Sequence, residues 1–343
     1  QVLLGTQCGE WLVSCQHRKR HAFTGANPGG FGWSDLSGAV PDADDTPGAI
    51  LALCRLNAAW AWGHARNWLK DLQNADGGWP TFCRGWGRLP FDRSGTDLTA
   101  HAIRAFRELA EPRGILGEDY FERLYRECVD KGFAYLRRMQ RPDGSWSPLW
   151  FGNQDHPQED NLVYGTAKVL FAYRDLGLMD SPEAKRGVAW LVANQNADGG
   201  WGSGVWGKLR IGDLGLGISD SEPDLSEIPN PKSQIPNLKS SVEETALAVE
   251  ALLAACPPTT NHRPPTDPAA AAVSHGLAWL LDRVDAGQHR QPAPIGFYFA
   301  KLWYYERLYP LTFTVAALGR ACRNFAPAEE SDSTMKPSAT RAT

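Results

Sequence analysis

No C-x-x-C pair, no long apolar run and almost no strand-like alternation occur in this chain of 343 residues. The cysteines, at 8, 15, 54, 83, 128, 256 and 322, are odd in number and scattered. Reduced thiols in a cytoplasmic compartment are therefore expected, instead of a disulfide framework or a cysteine-based zinc site. No stretch approaches the roughly 18 apolar residues that a membrane-spanning helix needs, and no amino-terminal signal pattern is read. A formal charge of −4 is too small to call for nucleic acid or an acidic membrane surface as partner. The chain begins at Gln1 and not at methionine, so a fragment or a trimmed chain is expected.

A hydrophobic content of 43% fits a soluble globular chain of one large domain or two small ones. Fourteen tryptophans and thirty-four glycines are the informative excess, because they recur together. WLKDLQNADGGW (68–79), YLRRMQRPDGSW (135–146) and WLVANQNADGGW (190–201) share an aromatic and a leucine on a helix end, a glutamine, then a D-G-G/S-W turn. WLVSCQ (11–16) followed by GGFGW (29–33) is a stretched copy, and WLLDRV (279–284) a worn one. The spacing suits two helices and a loop per repeat. The glycines permit a left-handed turn off the helix. The tryptophan is expected to fold back over the helix end, with the glutamine amide satisfying orphan backbone groups. These motifs specify architecture, not chemistry.

Helical patterns lie between the turns. TPGAILALCRL (46–56) reads with Thr46 as N-cap and Pro47 at the first helical position. TDLTAHAIRAFREL (96–109), VYGTAKVLFAYRDL (163–176) and SVEETALAVEALLAA (241–255) follow the same pattern. The fold class expected is all-α, an α/α barrel of helical hairpins over residues 1–326. Residues 205–240, rich in Pro, Ser and Asn, read as an exposed insertion, and residues 327–343 as a disordered tail.

VPDADDTPGAI (40–50) crowds Asp42, Asp44 and Asp45 just before a helix. A solvated acidic turn, a calcium loop and a catalytic cluster all fit that stretch taken alone. The D-D-x-x-D spacing that binds a substrate diphosphate through metal is not present.

PDADDT, DLTAH and VYGT, in that order among glutamine-tryptophan repeats, resemble the class II triterpene cyclases, the squalene-hopene cyclase family. The resemblance covers about residues 5 to 325 and corresponds to the C-terminal half of such an enzyme. It implies an acid-bearing α/α barrel, with a second, N-terminal barrel absent here and the active cavity between the two. Prenyltransferase β-subunits use similar turns, but they need an Asp-x-Cys pair for zinc, and no D-x-C occurs. QCGEW (7–11) is similar to a thioester motif, but Trp11 stands where that chemistry needs glutamine.

Protonating an alkene needs a carboxylic acid that stays protonated near neutral pH yet gives up its proton readily. Crowded carboxylates raise one pKa, and a cationic partner or helix N-terminus stabilises the anion left behind. By resemblance Asp44 is the proton donor, with Asp42 and Asp45 as supports and His101 as the activating histidine. Asp97, four residues before His101, shares its helix face; pairing between them is expected to raise the imidazole pKa. Tyr164 carries over from VYGT. Carbocations need aromatic faces, each worth about 2 kcal/mol when desolvated. The resemblance assigns that task to Trp33, Phe82, Trp150, Tyr298 and Tyr305. Leu302 stands where the family has a tyrosine, and LWFGNQDHPQEDNLVYGT (149–166) is longer and more polar than its counterpart.

The implied activity is protonation-initiated cyclisation of squalene to a hopanoid-type triterpene, with no metal or organic cofactor. The implied partners are a lipophilic polyprenyl substrate, an N-terminal barrel and one face of a membrane, with a homodimer left open. Two alternatives stand beside it: another prenyl substrate such as a diterpenyl diphosphate, for which Arg84, Arg88 and Arg93 are either the binding groups or simply a solvated loop, and a non-enzymatic binding barrel.

Overall fold

Each repeat turn is a clamp made of a few hydrogen bonds. The Trp79, Trp146 and Trp201 indoles, all fully buried, donate to the carbonyls of Leu69, Leu136 and Leu191 at 2.8 Å. The amide of Gln73 donates to Gly77 O at 2.8 Å and to Cys128 O at 2.9 Å, tying the turn to the next hairpin. Gln140 and Gln195 repeat this on Glu183 O and Ala272 O, both at 2.9 Å. The turn glycine is required on two counts. Gly144 has φ +95°, and a Cβ there would lie 2.7 Å from Arg186 O.

The computed structural model describes residues 2–56, 63–82, 92–109, 118–205, 238–256, 267–297, 302–303 and 306–325. Its helices are α1 (Val2–Ser14), α2 (Asp45–Arg55), α3 (Gly63–Leu72), α4 (Thr96–Leu109), α5 (Glu118–Met139), α6 (Leu162–Asp175), α7 (Pro182–Ala193), α8 (Val242–Leu252), α9 (Pro268–Asp285) and α10 (Leu308–Phe325). The even-numbered helices pack on one another in order as an inner row, and α3, α5, α7 and α9 each lie outside the helix before them. This is the all-α toroid of helical hairpins that the repeats imply. Short strands β1 (Phe151–Asn153), β4 (Ile295–Phe297) and β5 (Leu302–Trp303) pair antiparallel in the order β1-β4-β5. β2 (Gly204–Val205) pairs with β3 (Leu238–Lys239), so the two ends of the 205–240 insertion meet as one antiparallel ladder. The interior of that insertion, the tail, Arg84, Arg88, Tyr298 and Tyr305 lie outside the described residues.

The helix starts follow from the same repeat. The backbone N–H groups of Phe31, Trp79, Trp146 and Trp201 donate to the hydroxyls of Thr46, Thr99, Thr166 and Thr245 at 2.8–3.0 Å. Each turn is thus pinned to the first turns of an inner helix. Thr46 is committed to Phe31 and does not cap α2, contrary to the sequence expectation. The N-cap is Asp44, and the Asp42 carboxylate takes the free amides.

Candidate active site

The loop that carries the acids is stitched on both sides. Asp42 N–H donates to Phe31 O at 3.0 Å, and Ala43 N–H to Thr81 O at 2.7 Å. Asp42 also pairs with Phe82 in an antiparallel bridge. The Asp42 Oδ1 atom accepts the amides of Asp44 and Asp45 at 2.8 and 2.6 Å, doing the work that a helix N-cap side chain does. The Asp44 side chain, sitting at the N-cap position, is thereby left free for another partner.

That partner is His101. Its Nδ1 lies 2.9 Å from Asp44 Oδ1, with side-chain exposures of 16% for the histidine and 38% for the acid. The expected Asp97–His101 pair does not form. Asp97 Oδ1 instead accepts the Leu149 amide at 3.0 Å, and its buried Oδ2 has no hydrogen-bond partner. A backbone amide presented by the next turn outcompetes a side chain one helical turn away.

The electrostatics differ from the expectation too. Burial raises Asp44, but the His101 hydrogen bond and charge, with Lys168 behind them, outweigh it and hold the carboxyl below its usual range. Crowding acts on the other two acids. Burial first, then the Asp45 charge, pushes Asp42 well up; burial also raises Asp45. Burial lowers His101 despite Asp44, so the pairing does not lift the imidazole. Burial pushes Asp97 up to about 6.

The threonine anchors give the inner helices a common register. Two residues before each lie Asp44, Asp97, Tyr164 and Glu243; two after lie Gly48, His101, Lys168 and Leu247. Positions two residues either side of an anchor sit about 200° round the helix from it, so both sets face away from the turns. They form two rungs, one above the other, the first polar throughout and the second polar only at His101 and Lys168. Glu243 is 2% exposed and pushed to about 8 by burial and then by Glu244, and its Oε1 is unpartnered. Further along, ion pairs tie the inner helices together: Arg104–Asp175 at 2.6 Å, Arg174–Asp175 at 2.6 Å and Arg174–Glu250 at 2.8 Å.

Aromatic rings gather beside the acid loop. Phe82 meets Trp150 edge-on at 5.4 Å, and the Trp150 indole donates to the Thr81 hydroxyl. Phe151 lies 4.9 Å from Tyr164 and 6.1 Å from Tyr309, which stacks on Phe313 at 5.3 Å. Lys168 places its ammonium 5.1 Å from the Tyr164 ring centre and 5.4 Å from that of Phe313. Of the residues singled out from sequence, Asp42, Asp44, Asp45, His101, Phe82, Trp150 and Tyr164 therefore come together. Trp33 stands 56% exposed, outside this ring cluster.

Sequence reasoning missed Phe151, Tyr309, Phe313, Lys168 and Glu243. The spacing signal was there for Lys168: it follows Tyr164 by four on an otherwise apolar helix face. No cluster of metal-ligating side chains occurs among the described residues.

Residues 6–208 match the model of the squalene-hopene cyclase C-terminal domain. The chain belongs to that family. It is similar to the squalene-hopene cyclase of Bradyrhizobium diazoefficiens, 29% identical over 214 residues, which cover 57% of this chain and 28% of that one. It is also similar to the drimenyl diphosphate synthase of Streptomyces showdoensis, 33% identical over 184 residues, 51% of this chain and 30% of that one. The chain thus spans less than a third of the length of these cyclases. Among solved structures, a variant of the type II terpene cyclase MstE from Scytonema, in complex with geranylgeranyl dihydroxybenzoate, aligns with a TM-score of 0.57. That alignment covers 94% of this chain and 83% of MstE at 18% identity, a likeness of fold.

Proposed function

We propose that this chain is the acid-bearing barrel of a class II terpene cyclase that protonates the terminal alkene of squalene, with Asp44 as donor. The observation that carries the reading is the 2.9 Å contact between Asp44 and His101, held clear of the helix amides by Asp42. A single proton shared by this pair has two places to sit. In water the charge-separated arrangement, carboxylate and imidazolium, is well solvated. An apolar chain over the exposed face of Asp44 removes that water and favours the neutral arrangement, carboxylic acid donating to imidazole. The apolar substrate thus moves the proton onto the acid that must deliver it. Once the proton has gone to the alkene, the Asp44 carboxylate faces the substrate carbocation beside a neutral His101, and the pair regains its proton when the carbocation loses one or from solvent. Phe82, Trp150, Phe151 and Tyr164 supply faces for the cation.

Asp42 and Asp45, both raised by burial, act as scaffold. An N-terminal barrel, which the family resemblance implies, would close the cavity over Asp44. Phe23, Trp33 and Leu36, which precede the acid loop and are exposed, are surfaces suited to such a barrel or to the face of a membrane that delivers the lipid. A second reading, a shorter prenyl diphosphate, is favoured by the 33% identity to the drimenyl diphosphate synthase.

The test is incubation of the native-length protein with squalene, farnesyl diphosphate or geranylgeranyl diphosphate in mild detergent, beside an Asp44→Asn control. A cyclic product from squalene that disappears in the control supports the reading. Cyclisation of a diphosphate alone moves it to the second, and no cyclic product from any of the three contradicts both.

A further inference from the structure

Lys168 is out of place in a site meant to shelter a carbocation. It occupies on α6 the rung that His101 occupies on α4, and these two helices pack directly on each other. Its ammonium rests on two rings, 5.1 Å from the centre of Tyr164 and 5.4 Å from that of Phe313. It has no hydrogen-bond or ion-pair acceptor among the described residues. The charged groups around it are Asp44 from the start of α2, Asp97 and Arg104 on α4, and Glu250 on α8.

We propose that Lys168 is a specificity-determining residue of this site: its ammonium holds the Tyr164–Phe313 wall against the migrating carbocation and so ends ring closure early. The inference rests on the cyclase reading of Asp44 and deepens it. An aromatic face stabilises a cation by its quadrupole, and a face already covered by an ammonium offers that stabilisation to nothing else. A carbocation brought to this wall also meets a like charge. At a separation of about 5 Å and an effective dielectric near 20, that repulsion shifts a partition by roughly tenfold or more.

A cation kept off the wall terminates where it stands. It loses a proton from a neighbouring carbon, the C–H electron pair closes a new C=C bond, and the proton goes to the Asp44 carboxylate or to water. When Asp44 receives it, the acid is regenerated and substrate and product are isomers. The expected wild-type products are monocyclic and bicyclic.

The experiment compares wild type with Lys168→Met, which keeps length and removes charge, in the native-length protein supplied with squalene. The inference expects products with three or more rings to gain at least tenfold over monocyclic and bicyclic ones in the variant. An unchanged ring distribution, or a wild type that already forms four or five rings, would overturn it. A second readout needs no turnover. Lys168 depresses His101 by its charge, so the imidazole titration followed by NMR should move to higher pH in Lys168→Met. An unmoved titration would overturn the placement of the ammonium. A folded wild type that forms no cyclic product would overturn the cyclase reading, and the inference with it. A cyclase whose ring distribution is unaltered by Lys168→Met would overturn the inference alone.

Discussion

His101 Nδ1 and Asp44 Oδ1 meet at 2.9 Å across two inner helices, and the meeting depends on a third residue that touches neither nitrogen nor oxygen. Asp42 spends its carboxylate on the amides of Asp44 and Asp45, so that Asp44 points outward to the histidine and not down its own helix. The triplet of acids is therefore a division of labour: Asp42 caps, Asp44 meets the histidine, and Asp45 opens the helix beside the cap.

Removing either half of the pair has a defined consequence. Asp44→Asn should abolish cyclisation while leaving the fold intact. His101→Phe should lower the rate by about a hundredfold or more, the usual loss for a proton-transfer partner. Single-turnover rates on a common substrate check both. A His101→Phe enzyme within threefold of wild type would remove the histidine from the account.

The pH dependence follows from the direction of two shifts. Asp44 and His101 are both held below their ordinary values, so the free pair gains its shared proton only as pH falls through and below the ordinary imidazole range. The ratio kcat/KM should rise as pH falls from 8 towards 6, because only then does the pair take up its proton. A profile flat across that interval would contradict this.

Asp97 gives a stability prediction of opposite sign to that of a salt-bridged acid. Its folded value, raised from 3.8 to about 6, lies above the unfolded one. Its contribution is therefore fully present below about pH 4 and lost as pH rises through 6. At pH 7.5 Asp97→Asn should stabilise the protein by up to roughly 3 kcal/mol, with no comparable gain at pH 4. Thermal unfolding at the two pH values reads the difference.

The turn glycines divide by what surrounds them. Gly144→Ala combines φ +95° with a Cβ 2.7 Å from Arg186 O and should cost about 2–4 kcal/mol. Gly177 has φ +69° but nothing within 4 Å, so Gly177→Ala should cost only about 1 kcal/mol. Denaturant midpoints at constant slope are the check.

Most of the architecture was legible because the repeat is local. A glutamine, a glycine and a tryptophan within a dozen residues mark one clamp, and α4 begins and ends where the pattern 96–109 does. The partnerships were less legible because they are contests decided by distant backbone. Asp97 faces His101 by spacing, yet the Leu149 amide from the next turn takes it. Thr46 has the chemistry of an N-cap, yet Phe31 claims its hydroxyl. Phe151, Tyr309 and Phe313 carry no motif of their own and become a ring cluster only when β1 and α10 are brought against α6. Lys168 could have been found, since a lysine four residues after Tyr164 on an apolar helix asks for an explanation.

The central claim, that Asp44 gives its proton to an alkene, is tested most directly by isotope. The native-length protein is incubated with squalene in D₂O, and the cyclic product is analysed by mass spectrometry and NMR. The account predicts one deuterium bonded to carbon at the site of protonation, and no product at all from Asp44→Asn. A cyclic product without carbon-bound deuterium, or one that persists in Asp44→Asn, would contradict it.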